Sequence, residues 1–165
     1  LTPDTIRAGL GTYTGVDRRF QMKGQERGIT VFDDYGHHPT EIRATLAAAR
    51  DCRFGRVHAI FQPHRYTRTM HLMDDFARSF HEADRVYLLD IYAASEMPID
   101  GVTSQQLAQR MSAFGHRFVQ YCGTIEGAVK AVQTDLQAGD AVLTLGAGNV
   151  WQAGDQLLAA LRANS

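Results

Sequence analysis

The run Asp33-Asp34-Tyr35-Gly36-His37-His38-Pro39-Thr40-Glu41 sets two acids, a phenol, two imidazoles and a helix-starting proline in one bend. Such groups bind small polar ligands and move protons, and turn chemistry needs none of them beyond Gly36. A helix opening at Pro39 adds unpaired N–H groups and partial positive charge, which suit an anion. Asp and His can also hold a metal, but neighbouring His37 and His38 do not share a helix face, and no metal site is expected. The bland alternative is a pair of strand-end acids followed by helix-capping histidines. A second cluster is Gln62-Pro63-His64-Arg65-Tyr66-Thr67-Arg68-Thr69. If a helix begins near Tyr66, Arg65 and Arg68 converge on one side, and paired guanidiniums match a carboxylate or a phosphate. Arg18 and Arg19 are adjacent on a segment that alternates like a strand, so only one of them should enter a site. Gly146-Ala147-Gly148 resembles part of a dinucleotide fingerprint, but it lacks the third glycine and follows the last strand. Close backbone approach to a ligand or to a neighbouring loop explains those glycines equally well.

The elements that must position these groups follow from hydrophobic period. Arg18–Lys23 reads as a strand, Gly24–Gly28 as a hairpin loop and Ile29–Phe32 as a β-branched and aromatic strand. His38 is held extended before Pro39, and Ile42, Leu46 and Ala49 carry a helix to about Asp51. Arg56–Phe61 is a strand stopped at Gln62-Pro63, and Leu72, Met73, Phe76, Ala77 and Phe80 form one helical face. Arg85–Asp90 is again a strand, and the long segment from Ile91 to Thr103 reads as a functional or domain-facing loop. A short helix with Leu107 and Met111 precedes a strand over Arg117–Tyr121. Thr124 can cap a helix burying Ile125, Ala128, Val129, Val132 and Leu136. Ala141–Leu145 is the continuous apolar run of a parallel strand buried on both faces, and a last helix carries Leu157, Leu158 and Leu161.

Strands alternating with helices predict an α/β fold, a doubly wound, Rossmann-like, mostly parallel sheet with an antiparallel edge strand. The functional clusters then sit at carboxyl ends of strands, where such sheets hold their ligands. His58 lies inside an apolar strand and reads as a satisfied core residue.

At 165 residues the chain can bury one substantial core. A net charge of −1 gives no basic field for nucleic acid or an anionic membrane, and neither is expected as a partner. Cys52 and Cys122 lack C-x-x-C spacing and fit a reducing, cytoplasmic location. There is no G-x-x-x-x-G-K-[ST] loop and no G-x-S-x-G elbow. Leu1 in place of methionine, with a helix apparently entered mid-chain over residues 3–14, suggests a piece of a larger protein.

Taken together, Asp33–Glu41, Phe61–Thr69 and Leu143–Asn149 closely resemble the Mur ligase family, and Gly15–Gln21 and Tyr92–Ile99 resemble its domain junction and one of its loops. Asp17 stands where a basic residue is expected, and Met97 where a small one is commoner. The resemblance implies that residues 1–15 are the end of a central ATPase domain or its linker and residues 16–165 the C-terminal domain. It implies ATP and Mg2+ as cofactors, with the metal ligands on the missing central domain. The implied reaction phosphorylates the lactyl carboxylate of UDP-N-acetylmuramate and joins it to L-alanine, in the cytoplasm, for peptidoglycan synthesis. The implied partners are those substrates and the missing N-terminal and central domains, and the isolated piece is expected to be inactive. Position by position, Asp34 would meet the ATP ribose and Arg19 the phosphates. Tyr35, His37, Arg65 and Arg68 would surround L-alanine, with His37 and Arg19 in the catalytic role. Arg19 is preferred to Arg18 because it directly precedes Phe20. Two other readings stand beside this one: a relative that attaches a whole peptide, and a non-catalytic nucleotide- or anion-binding module.

Overall fold

The structure, a computed structural model, describes residues 17–163. The helix expected over residues 3–14 and the domain boundary near residue 15 lie outside the described residues. Strands β1 (Gln21–Glu26) and β2 (Ile29–Asp34) form an antiparallel hairpin. Its loop is only Arg27-Gly28, both at positive φ (54° and 77°), as in the two-residue turns whose twist matches paired strands. The expected loop over Gly24–Gly28 is therefore corrected: Gly24 to Glu26 belong to the strand. Gly24 is needed there for close packing, since a Cβ would stand 3.1 Å from a methyl of Leu158. The strand also begins three residues later than expected, because Arg18 (φ 58°) and Phe20 (φ 44°) form a turn rather than extended chain.

Helix α1 (Pro39–Asp51) starts at the extended His38 (φ −115°, ψ 144°) and buries Ile42, Leu46 and Ala49. After β3 (Val57–Phe61) the apolar face around Leu72 is divided between two short helices, α2 (Tyr66–His71) and α3 (Met73–Ala77). Leu72 breaks helical geometry (φ −115°, ψ 19°), yet Phe76 and Phe80 still reach the core. Next come β4 (Arg85–Leu89), α4 (Ser104–Ala113), β5 (Val119–Gly123), α5 (Ile125–Gln133), β6 (Ala141–Leu145) and α6 (Trp151–Ala163). β5 lies two residues beyond its expected position. Thr124 caps α5, its hydroxyl accepting the Gly127 N–H.

The six strands run in the order β1-β2-β6-β3-β4-β5, parallel except for the β1–β2 pair at one edge. Strand alternation sends Phe32, Phe61, Leu88 and Leu143 toward α1, α3 and α4. It sends Val31, Ile60, Tyr87, Leu89 and Val142 toward α5 and α6. Both faces are covered, which is why β2, β3 and β6 are buried along their whole length. At the amino ends of the strands, His58 is fully enclosed. Its Nε2 faces the Asp140 carboxylate at 3.1 Å, and Arg56 closes on the same carboxylate at 2.7 Å. Burial pushes the His58 imidazole below its ordinary value despite the pull of Asp140. It is the satisfied core histidine that its strand pattern predicts, and it lies at the opposite end of the sheet from the clusters above.

Candidate functional site

The register of the sheet brings three corners level. Asp34 at the end of β2 pairs with Leu145 of β6, and Leu145 pairs with Phe61 of β3. The β2–α1, β3–α2 and β6–α6 corners therefore leave the sheet side by side, with β6 inserted between the two strands joined through α1. That is the crevice in which doubly wound sheets hold ligands.

A continuous line of polar side chains crosses this crevice. The Arg18 guanidinium lies 5.0 Å from the centre of the Tyr35 ring, and Tyr35 meets His37 edge-on at 5.2 Å. The His37 ring stands 5.9 Å from that of His64, and His64 Nδ1 lies 3.2 Å from Arg68 Nη1. Tyr35, His37 and Arg68, expected at one site, are thus brought together. Arg65 opens α2 beside them at φ 72°, its N–H donating to the Tyr92 carbonyl at 2.8 Å while its side chain stays exposed. Among the described residues neither Arg65 nor Arg68 is ion-paired with a carboxylate. Arg65 feels the Glu96 carboxylate without forming an ion pair with it, and two guanidiniums at the mouth of the crevice suit an anion with two oxygens.

The acids have another use. Asp33, 1% exposed, receives Arg18 Nε at 2.8 Å and the Thr144 hydroxyl at 2.6 Å. Asp34, 4% exposed, accepts the N–H groups of Phe20 and Gly36, each at 2.7 Å. Tyr35 N–H donates to the Arg18 carbonyl at 2.6 Å. Together they fasten the turn at residues 18–20 to the sheet. Asp34 also borders a shallow groove of about 360 Å³ with Arg19, Phe20, Glu41, Ala44, Thr45 and Ala48. The two residues assigned to nucleotide therefore line one groove, next to but separate from the line through Tyr35 and His37.

The two adjacent arginines point opposite ways, although neither residue is on a strand. Arg18 turns inward, its Nη2 donating to the Gly146 carbonyl at 2.7 Å and its Nη1 to that of Gly148 at 3.4 Å. Arg19 points outward, its side chain 52% exposed and 3.5 Å from Glu41. Glu41 carried no expectation, yet it organises the corner. Its Oε2 accepts the N–H groups of His37 at 3.0 Å and His38 at 3.1 Å, completing a capping box in which His38 Nδ1 accepts the Thr40 N–H. Partial burial would raise the Glu41 carboxyl, but these donors and the charges of His37 and Arg19 hold it below its ordinary range. His38 is therefore a cap, while His37 is left facing the crevice, its Nδ1 3.0 Å from the Tyr35 carbonyl.

The glycines of the β6–α6 corner serve close approach. A Cβ on Gly146 would stand 2.7 Å from the Gln62 carbonyl, and one on Gly148 would stand 2.4 Å from Gln62 Oε1 and 2.8 Å from the Tyr92 ring. Tyr92 is thereby wedged against His64, their rings stacked at 5.5 Å. Its loop is held by Glu96, which accepts the N–H and the hydroxyl of Thr67 at 3.0 and 2.7 Å. Sequence reasoning missed Tyr92 and the inward role of Arg18. A stacking partner across two loops has no local signal, although the four-residue spacing of His64 and Arg68 offered a hint. Among the described residues no group of three or more His, Cys, Asp and Glu could hold a metal ion, and no helix is long and apolar enough to cross a membrane.

Residues 18–148 match the family model described as Mur ligase, glutamate ligase domain. The chain is 64% identical over 162 residues to the UDP-N-acetylmuramate–L-alanine ligase of Solibacter usitatus, covering 98% of this chain and 34% of that protein. It is 56% identical to the ligase of the same name from Koribacter versatilis, covering 99% and 35%. The chain thus spans about a third of the length of these relatives. Among solved structures, the UDP-N-acetylmuramate–alanine ligase of Thermotoga maritima superposes with a TM-score of 0.75 at 22% identity, over 98% of this chain and 36% of that one. A murein peptide ligase of Psychrobacter arcticus superposes with the same score at 27% identity, over 93% and 32%.

Proposed function

From the premise that the chain belongs to the Mur ligase family, matching its glutamate ligase domain, we propose that it is the amino-acid- and nucleotide-binding C-terminal domain of a cytoplasmic UDP-N-acetylmuramate–L-alanine ligase. The observation that carries this reading is Arg68, free of any carboxylate ion pair among the described residues, reached from His37 through the His64 ring, with Arg65 exposed on the same corner. In the whole enzyme, ATP converts the lactyl carboxylate of UDP-N-acetylmuramate to an acyl phosphate, and ADP leaves. The L-alanine amine attacks the acyl carbon, phosphate departs, and the amine gives up a proton as the amide forms.

The residues of this chain divide that work. Arg65 and Arg68 take the two oxygens of the alanine carboxylate, leaving its amine directed away from them. His37, donating its Nδ1–H to the Tyr35 carbonyl, presents Nε2 to accept the ammonium proton that must be lost before attack. Tyr35 closes the side toward Arg18. Arg19 reaches outward to nucleotide phosphates, and the groove it shares with Asp34 receives the ribose side. Because the Asp34 oxygens already accept two N–H groups, a ribose hydroxyl there would share an oxygen with Phe20 or Gly36. Magnesium, when bound, would neutralise the polyphosphate. In this reading the metal ligands and the phosphate-binding loop would come from other domains of the whole enzyme. A crevice completed by a second domain excludes water from a hydrolysable acyl phosphate.

The test uses the full-length protein with UDP-N-acetylmuramate, ATP and magnesium, following phosphate release while L-alanine competes with a diaminopimelate-containing tripeptide. Alanine is expected to win by a wide margin, and preference for the tripeptide would transfer the assignment to a peptide-attaching ligase. Residues 1–165 alone should release no phosphate. Alanine-dependent release by that piece would overturn the division of the site between domains, and ATP turnover unaffected by the upstream domains would favour a plain binding module.

A further inference from the structure

Between the imidazole that faces the crevice and the arginine that serves it lies His64, to which the reaction above gives no part. Its setting is closely determined. The backbone is fixed to the loop after β4 on both sides: His64 and Tyr92 form a parallel bridge, Tyr92 N–H donates to the Pro63 carbonyl at 2.8 Å, and Arg65 N–H donates to the Tyr92 carbonyl at 2.8 Å. The ring is fixed by stacking on Tyr92, 5.5 Å away and within 11° of parallel. The Tyr92 ring also packs closely on Gly148, where a Cβ would stand 2.8 Å from it. Held in this plane, the imidazole turns Nδ1 toward Arg68 at 3.2 Å, while the His64 carbonyl lies 3.4 Å from the same guanidinium nitrogen.

We infer that His64 is a positioning residue for Arg68: its Nδ1 lone pair and carbonyl together hold one guanidinium nitrogen, so that the remaining edge points at the amino-acid carboxylate. The inference rests on the reading that Arg65 and Arg68 bind that carboxylate. It requires the neutral tautomer with the proton on Nε2, since only then can Nδ1 accept from an arginine. The surroundings enforce that form. Partial burial and the charges of Arg68 and Arg65 on its own corner and of His37 on the β2–α1 corner hold the His64 imidazole below its ordinary value, with Glu96 of the β4 loop pulling weakly the other way. Protonation would set two donors and two cations against each other and release the guanidinium. The consequence is a site whose grip on amino acid weakens in acid without any titration of the arginines.

The full-length ligase tests this with two substitutions that separate acceptor from ring. His64→Phe keeps an aromatic face for Tyr92 but offers no acceptor. His64→Asn places an amide oxygen near the Nδ1 position and does not titrate. His64→Phe is expected to raise the KM for L-alanine about tenfold, the ratio that follows from losing a hydrogen bond to a charged group, with a smaller change in kcat. His64→Asn should hold the KM within about threefold and remove its rise as pH falls below the ordinary 6.5 of histidine, since an amide accepts a hydrogen bond whatever the pH. Equal KM values for the two variants, or an acid rise unchanged in His64→Asn, would overturn the inference. Arg68→Ala separates this from the underlying reading: an unchanged alanine KM there removes the carboxylate site itself, whereas a raised KM alongside a wild-type-like His64→Phe removes only the role of His64.

Discussion

Replacing Gly146 by alanine should unfold this domain more readily than any other single methyl added to the crevice. Two independent effects act at that position. The backbone sits at φ 143°, a conformation that side chains disfavour, and holding a non-glycine residue in such a region costs about 1–3 kcal/mol. The added Cβ would also stand 2.7 Å from the Gln62 carbonyl oxygen and 3.3 Å from Val150. The Gln62 backbone belongs to a strand-end hydrogen bond with the Leu145 carbonyl at 3.0 Å, so it cannot move aside without opening the sheet. Overpacking of this kind costs roughly 1–3 kcal/mol. The expected loss is therefore about 2–6 kcal/mol, against a total that for ordinary domains is only about 5–15 kcal/mol. Urea unfolding of the 165-residue chain, followed by far-ultraviolet circular dichroism, would read this as a midpoint lowered by about 1–3 M at a slope near 2 kcal/mol/M. Gly148→Ala is the internal comparison: its φ is not positive, and its clashes are with the Gln62 and Tyr92 side chains, so about 1–2 kcal/mol is expected. A loss at Gly146 below about 0.5 kcal/mol, or one no larger than at Gly148, would refute the claim that backbone conformation and close approach act together there.

Two further outcomes follow from the same coordinates. Arg18→Ala removes the partner of the buried Asp33 carboxylate and should destabilise by about 2–3 kcal/mol, the usual cost of orphaning a buried charge discounted because Arg18 is 25% exposed. Arg19→Ala should change stability by less than about 0.5 kcal/mol, and unfolding curves of equal midpoint for the two variants would contradict the inward and outward assignment. Stability should also fall as pH drops from 7.5 to 5.5. His58 and His116 are held neutral mainly by burial, below the 6.5 at which the unfolded chain takes up protons. The unfolded state thus gains protons that the native state refuses, at up to roughly 1.4 kcal/mol per pH unit for each histidine. Asp140, whose carboxyl is held down chiefly by Arg56 against the effect of burial, adds a second loss only as pH falls below the ordinary 3.8. A stability profile that is flat or rising between pH 7.5 and 5.5 would count against this account.

The architecture was readable in the sequence because buried parallel strands leave no choice of residue type: Ala141–Leu145 and Val57–Phe61 had to be continuous apolar runs. The crevice was readable because Pro39 and Pro63 mark where strands end, placing His37 and Arg65 just past them. What escaped has a common cause. The turn at residues 18–20 is shaped by Asp33 and Asp34, which lie 15 and 14 residues beyond their partners Arg18 and Phe20, and alternation around Arg18 carries no trace of that. That Asp33 and Asp34 fasten this turn was not legible either, because acids at a strand end can be ligands, fasteners or both, and composition alone does not separate these roles. Tyr92 and Gly148 meet only in three dimensions, so neither residue announces the other. The break at Leu72 likewise leaves the apolar spacing intact and is visible only in the backbone.

The fastening of residues 18–20 to the ends of β2 and β6 also sets a mechanical condition. Any body joined through residues 1–16 is leashed to the lip of the crevice itself, within one side chain of Tyr35. Whatever precedes residue 17 therefore enters this domain at the edge of the crevice, beside Tyr35 and not at the far end of the sheet.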